Sequence, residues 1–168
     1  MKWLLLFPGG VFPPFKTVEE LYILSHVKNA YGEKEAKAGL RAKLPAIDTF
    51  PNQFRQYEIS IDIPEFTSVC PQTGQPDFGT ITIRYEPGQR CLELKSLKEY
   101  IQTYRNLGIF YENAVNRILE DVVRSCRPVW AAVRGDFNPR GGIRSIVEAR
   151  YPRPRGSRQG LSWGKRRN

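Results

Sequence analysis

Histidine is nearly absent: His26 is the one histidine in 168 residues. Cysteine is scarce, and Cys70, Cys91 and Cys126 stand far apart with no CxxC pair. A zinc site built from Cys and His is therefore not expected, and no metal is assigned. Three cysteines also leave one over in a disulfide framework of the secreted kind, so a reducing compartment, the cytoplasm, is the expected location. Long apolar runs are missing too. The opening MKWLLLFPGGVFPPF carries Lys2 and then only Trp3 to Phe7 before Pro8 and two glycines interrupt it. A secretory leader needs about 7–15 apolar residues and a membrane-spanning helix about 20, so neither is expected. Residues 1–30 read as an extension, either poorly ordered or upstream of the true start.

Acid is missing from one stretch. After Tyr151 the chain holds Arg153, Arg155, Arg158, Lys165, Arg166 and Arg167 and no Asp or Glu. These six bases supply most of the net charge of +9. The basicity belongs to a tail, 152–168, without periodicity, which reads as solvated and disordered. Such a tail can touch a polyanion, but direct nucleic-acid binding is not expected of the folded part. What remains, residues 31–151, is enough chain for one hydrophobic core and one domain.

Within that span the patterning changes in an orderly way. Glu19 to Val27 reads as a short helix ahead of a charged stretch, Tyr31 to Arg41. Tyr57, Ile59, Ile61 and Ile63 alternate with polar residues, which predicts a strand ended by Pro64. FTSVCPQTGQPDFG, rich in turn formers, predicts a loop. Ile81, Ile83 and Tyr85 predict a second strand, ended by Pro87-Gly88. After a short extended piece, Ser96 with Glu99 three residues on matches a capping box, opening a helix to about Gly108. Val115, Ile118, Leu119, Val122 and Val123 fall at helical spacing, and Pro128 closes that helix. Two strands follow, Val129 to Phe137 and Ile143 to Tyr151, around the turn NPRGG. The order strand, strand, helix, helix, strand, strand predicts an α+β fold, a four-stranded antiparallel sheet with two helices on one face.

Cys70 is the leading candidate for chemistry, since it lies in a loop just past a strand, where functional side chains concentrate. A cysteine attacks as its thiolate and needs a lowered pKa or a nearby base. With no histidine nearby, Asp77 is the available partner, although it reads equally as a turn residue after Pro76. Glu93, Lys95 and Lys98 cluster where extended chain meets helix, a place that suits a phosphate and equally a solvated first turn. Glu112 opens the second helix, where the macrodipole alone would favour a carboxylate.

Four strings, CPQTGQPDFG at 70–79, ELKSLKEY at 93–100, YRNLGIFYEN at 104–113 and FNPRGGI at 137–143, occur in order and at compatible spacing. In them the chain resembles the NADPH-dependent 7-cyano-7-deazaguanine reductases of queuosine synthesis, from about Tyr31 to Tyr151. The resemblance implies the tunnelling fold (T-fold) and a homo-oligomer, a decamer in the family's short form. It implies that Cys70 adds to the nitrile carbon of the substrate, giving a thioimide, and that Asp77 donates the proton. It places Lys95, Ser96 and Lys98 in the NADPH segment. Leu92, Glu93, Leu94, Tyr111 and Glu112 match positions that hold the deazaguanine, Glu112 by accepting two hydrogen bonds from its guanine-like edge.

One position departs from that pattern: Tyr111 stands where the family has histidine, leaving a ring to pack and a hydroxyl to bond. A thiol peroxidase, suggested by EFTSVCP, would need a thioredoxin-like alternation of strands and helices that this chain lacks. The related archaeal amidine-forming branch lacks the segment that ELKSLKEY supplies here. From another class, a basic RNA-binding protein would depend on the tail for binding, and a reductase would turn over without it.

Overall fold

The computed structural model of the protein describes residues 36–152. The chain divides into two units, Met1–Gly32 and Glu33–Asn168, and all the described residues lie in the second. The expected N-terminal extension, the helix at Glu19 to Val27 and all of the basic tail but Pro152 fall outside them.

Four strands form one antiparallel sheet in the order β2 (Ile59–Val69), β3 (Pro76–Glu86), β5 (Trp130–Arg140) and β6 (Ile143–Tyr151). Two helices, α1 (Leu94–Gln102) and α2 (Tyr111–Cys126), complete the expected α+β plan. A second, two-stranded sheet pairs β1 (Thr49–Pro51) with β4 (Arg90–Leu92). Nothing in the periodicity announced it, because strands of three residues cannot show an alternation. Among the described residues no helix is long and apolar enough to cross a membrane.

The two faces of the sheet differ as alternation requires. Phe66, Ile81, Ile83, Tyr85, Val133 and Phe137 are buried on one face with Val115, Ile118 and Val122 of α2 and Leu97, Tyr100 and Tyr104 from α1 and the 3₁₀ turn after it. The other face is polar, with Thr82 donating to Asp62 (2.7 Å) and Arg144 pairing with Asp136 (2.6 Å). Gly135 marks where helix and sheet approach most closely. A Cβ there would lie 2.7 Å from both Phe137 and Val115.

Three local expectations change. Pro64 does not end β2: the register shifts between Ile63 and Phe66, and the strand runs on to Val69. A bulge absorbs the proline, which has no N–H for the ladder. The expected loop from Phe66 to Gly79 thus shrinks to the turn 70–75, and Asp77 lies in β3. Glu93, not Ser96, is the N-cap of α1; its carboxylate accepts from Lys95 N (2.8 Å) and Ser96 N (2.7 Å). Ser96 is instead a buried link, donating to Glu93 O (3.0 Å) and accepting from Asp48 N (2.9 Å).

Candidate active site

The β2–β3 hairpin closes on Cys70. Its N–H donates to Gln75 O, and its carbonyl accepts from Gly74 N, both at 2.9 Å. Burial raises the thiol's pKa, but hydrogen bonds from the Thr73 hydroxyl and from the Thr73 and Gln72 backbone outweigh it. The net shift is downward from the ordinary cysteine value, despite the opposing charge of Asp77. This turn therefore favours a thiolate. Cys70 is half-buried, whereas Cys91 and Cys126 are buried, and burial pushes the Cys126 thiol up to about 11. Iodoacetamide at mildly alkaline pH should accordingly modify Cys70 while leaving the other two intact. Peptide mass mapping after partial labelling checks this, and equal labelling of all three would contradict the geometry.

Backbone bonds bring the second helix to the hairpin. Val69 N donates to Leu107 O and Ile109 N to Val69 O, each at 3.0 Å, which sets the loop before α2 beside the end of β2. From behind, Gly39 packs on that loop at φ +76, and a Cβ there would lie 2.7 Å from Gly108 O. Arg117 of α2 donates to the carbonyls of Gly39 and Ala42, holding this segment down. The first turn of α2, with the exposed Glu112, thereby follows a loop bonded to the end of β2, and its Tyr111 reaches Asp77.

Asp77 is buried on the helix-facing side of β3 and is the centre of a polar cluster. Its Oδ1 accepts from the Tyr111 hydroxyl (2.9 Å) and from Arg140 Nη1, while Arg140 Nη2 donates to Gln75 Oε1 (3.0 Å). Asp77 Oδ2 makes no hydrogen bond among the described residues. The Tyr111 ring stacks on Phe137 with centroids 3.8 Å apart and planes 9° off parallel. Burial first, and then the bond to Asp77, pushes the phenol up to about 12, so the hydroxyl stays protonated and donates. In the free chain the hydroxyl expected to face a substrate is thus committed to Asp77. Arg140 and Gln75 were not singled out by the sequence; Arg140 sits in the quoted string FNPRGGI, but no spacing links it to Asp77, 63 residues away.

The remaining candidates form a second group. Leu92 is 2% exposed and part of the core, whereas Leu94 is exposed. Lys95 and Lys98 are exposed, and neither is ion-paired among the described residues. Leu94 and Lys98 line an open groove of about 320 Å³ with Ile61, Ile63 and Thr67 of β2. Cys70 and Asp77 are not among the residues lining it.

The chain is similar to known proteins. The family model described as QueF-like protein matches residues 76–156, from the start of β3 past the end of β6. An NADPH-dependent 7-cyano-7-deazaguanine reductase from Elusimicrobium minutum is 55% identical over 129 residues, 76% of this chain and 98% of that protein. The chain belongs to this reductase family. Another member, from Prochlorococcus marinus, is 45% identical over 132 residues, 79% of this chain and 92% of its own length. A solved archaeosine synthase QueF-Like in the apo form superimposes with a TM-score of 0.53 at 22% identity, covering 55% of this chain and 91% of that one. That likeness bears on the fold, which is the tunnelling fold expected from the four strings.

Proposed function

We propose that this chain reduces the nitrile of 7-cyano-7-deazaguanine to the amine of 7-aminomethyl-7-deazaguanine with NADPH, in tRNA queuosine biosynthesis. The observation that carries the reading is a half-buried cysteine, its pKa lowered, beside a buried carboxylate in a chain of this reductase family. The Cys70 thiolate adds to the nitrile carbon. Asp77, whose carboxylate is paired with Arg140, takes the proton of the Cys70 thiol as the thiolate forms. One C–N π bond breaks as the S–C bond forms, and Asp77 passes that proton to the nitrogen to give a thioimide. NADPH, when bound, supplies the hydrides that take this carbon to the amine level. The Glu112 carboxylate, exposed at the first turn of α2, accepts from the N–H and amine of the guanine-like edge, with Tyr111 beside it, and the resemblance alone assigns Leu92, Glu93 and Leu94 to the ring.

Lys95 and Lys98 suit the phosphates of the cofactor, being exposed cations one helical turn apart with no ion pair among the described residues. The backbone N–H groups of Lys95 and Ser96 are already bonded to Glu93, so the lysine side chains carry that attraction. Replacing either lysine with alanine should raise the Michaelis constant for NADPH about tenfold or more while changing that for the nitrile little. Equal effects on both would assign the lysines to structure. We also propose a homo-oligomer, a decamer by family resemblance. The outer strands β2 and β6 have no further neighbour among the described residues, and such edges invite pairing with another copy. The reaction is placed in the cytoplasm, where thiols stay reduced.

Mixing the protein with the nitrile and NADPH, and following the absorbance of both, tests the reading. Nitrile-dependent oxidation of two NADPH per nitrile is expected. Absence of that oxidation, with the protein folded, would overturn it.

A further inference from the structure

Ser68 is the one side chain among the described residues with a fully buried polar atom and no hydrogen-bond partner. The residue is 0% exposed. A hydroxyl left unpaired in the interior is unfavourable, and native structures keep few of them, so this one calls for a partner. Its location says where the partner arrives. Ser68 is the register partner of Asp77 across the β2–β3 ladder, and directly opposed side chains share a face and stand close. It also precedes Cys70 by two residues, and the Cys70 N–H to Gln75 O bond carries the hairpin pairing one residue beyond Val69. Alternation therefore puts Ser68, Cys70 and Asp77 on the same face of the hairpin. Just beyond Ser68 on this face, Phe66 packs against Tyr104 (5.4 Å between centroids) and Phe137 (6.2 Å), an apolar floor that offers the hydroxyl nothing.

We propose that Ser68 is a further substrate-contacting residue of this site, and that its hydroxyl hydrogen-bonds the nitrogen that begins as the nitrile and ends as the amine. The inference rests on the reductase reading above. An atom bonded to a carbon that Cys70 attacks, and taking a proton from Asp77, has to lie between those two side chains. Ser68 is the third corner of that space. Adding sulfur to the nitrile carbon moves an electron pair onto nitrogen, so a donor at this corner stabilises charge where it develops. Once the nitrogen carries hydrogen, the same hydroxyl accepts from it, a reversal that a hydroxyl can make by rotating. Arg140 spans Asp77 and Gln75 from the hairpin tip, at the open end of the face that Ser68 shares.

The test compares wild type with Ser68→Ala, each mixed with 7-cyano-7-deazaguanine in the absence of NADPH, with the Cys70 adduct followed by mass spectrometry. The variant should form the adduct between about ten and about a hundred times more slowly, the cost of one hydrogen bond to a developing charge. Its melting temperature should be unchanged or higher, because alanine leaves no hydroxyl unpaired, and in turnover kcat should fall with the Michaelis constant for NADPH unchanged. A wild-type rate of adduct formation in the variant would overturn the role of Ser68 alone and leave a hydroxyl satisfied by solvent in the core. A variant that loses its melting transition would assign Ser68 to folding and equally overturn the proposal. Absence of the adduct in the wild type would overturn the reductase reading itself, and this inference with it.

Discussion

Replacing Cys70 with alanine is expected to leave no measurable turnover and an intact fold. Cys70 lies in the six-residue turn 70–75 between two eleven-residue strands, and it is half-buried, so truncation to alanine opens no cavity in the core. The hairpin bonds at this position run through the Cys70 backbone to Gln75 and Gly74, and alanine keeps both. Stability should fall by less than about 1 kcal/mol, as for substitutions away from buried networks. The chemistry has no such reserve. A nitrile carbon accepts hydride poorly until a nucleophile converts its triple bond into a polarised C=N, and the other two cysteines are buried elsewhere in the fold. Mass spectrometry of the wild type with the nitrile and no NADPH should show one adduct, on the peptide carrying Cys70, and the alanine variant should show none. Because the thiol pKa lies below its ordinary value, the adduct rate should rise with pH to a midpoint below that value. An adduct on Cys91 or Cys126 would overturn the assignment.

How far the residues themselves foretold this arrangement depends on the range over which each feature is encoded. The strand β3 was legible because Ile81, Ile83 and Tyr85 are fully buried at every second position, and α2 because Val115, Ile118 and Val122 are buried at helical spacing. Both patterns are local. Pro64 misled because a proline ends most ladders, yet an edge strand can bulge around it, and β2 is an edge. Ser96 misled for a related reason: it matches the capping box, but the Glu93 carboxylate starts the helix one turn earlier by accepting from Lys95 N and Ser96 N. At the site, Cys70 and Asp77 were legible as a cysteine and an acid seven positions apart in a turn-rich string. Their surroundings were not. Tyr111 and Arg140 reach Asp77 from 34 and 63 residues away, contacts that depend on how the loop before α2 and the β5–β6 hairpin pack. No periodicity reports that. Ser68, which looked like one more polar residue in a loop, became informative only when the loop proved to be strand and its hydroxyl proved to be buried.

Asp77→Asn is expected to bind the nitrile normally and to form both the thioimide and the amine on the order of 10²–10⁴ times more slowly, the usual contribution of a positioned acid. The substitution is suited to the question because asparagine keeps the shape and one carbonyl oxygen. The Tyr111 hydroxyl can still donate to that oxygen, and the Tyr111–Phe137 stack behind it is untouched. Arg140 loses a charged partner but keeps its bond to Gln75, and its side chain is 37% exposed, so water takes up the difference. The fold should therefore survive. What the variant lacks is a group that titrates. In the native site Oδ1 is held by Tyr111 and Arg140 while Oδ2 has no hydrogen bond among the described residues, which leaves one oxygen oriented and the other available to carry a proton. Asparagine offers an N–H₂ there, able to donate a hydrogen bond to the nitrile nitrogen but not to give up its proton. Position in a turn no longer accounts for Asp77, since it lies in β3 with its side chain buried. The remaining alternative is that Asp77 serves only to anchor Arg140 and Tyr111, which the asparagine carbonyl would also do. Stopped-flow measurement of thioimide formation, beside equilibrium binding of the nitrile, separates the two: slow chemistry with unchanged affinity assigns the proton to Asp77, and wild-type rates would assign it elsewhere.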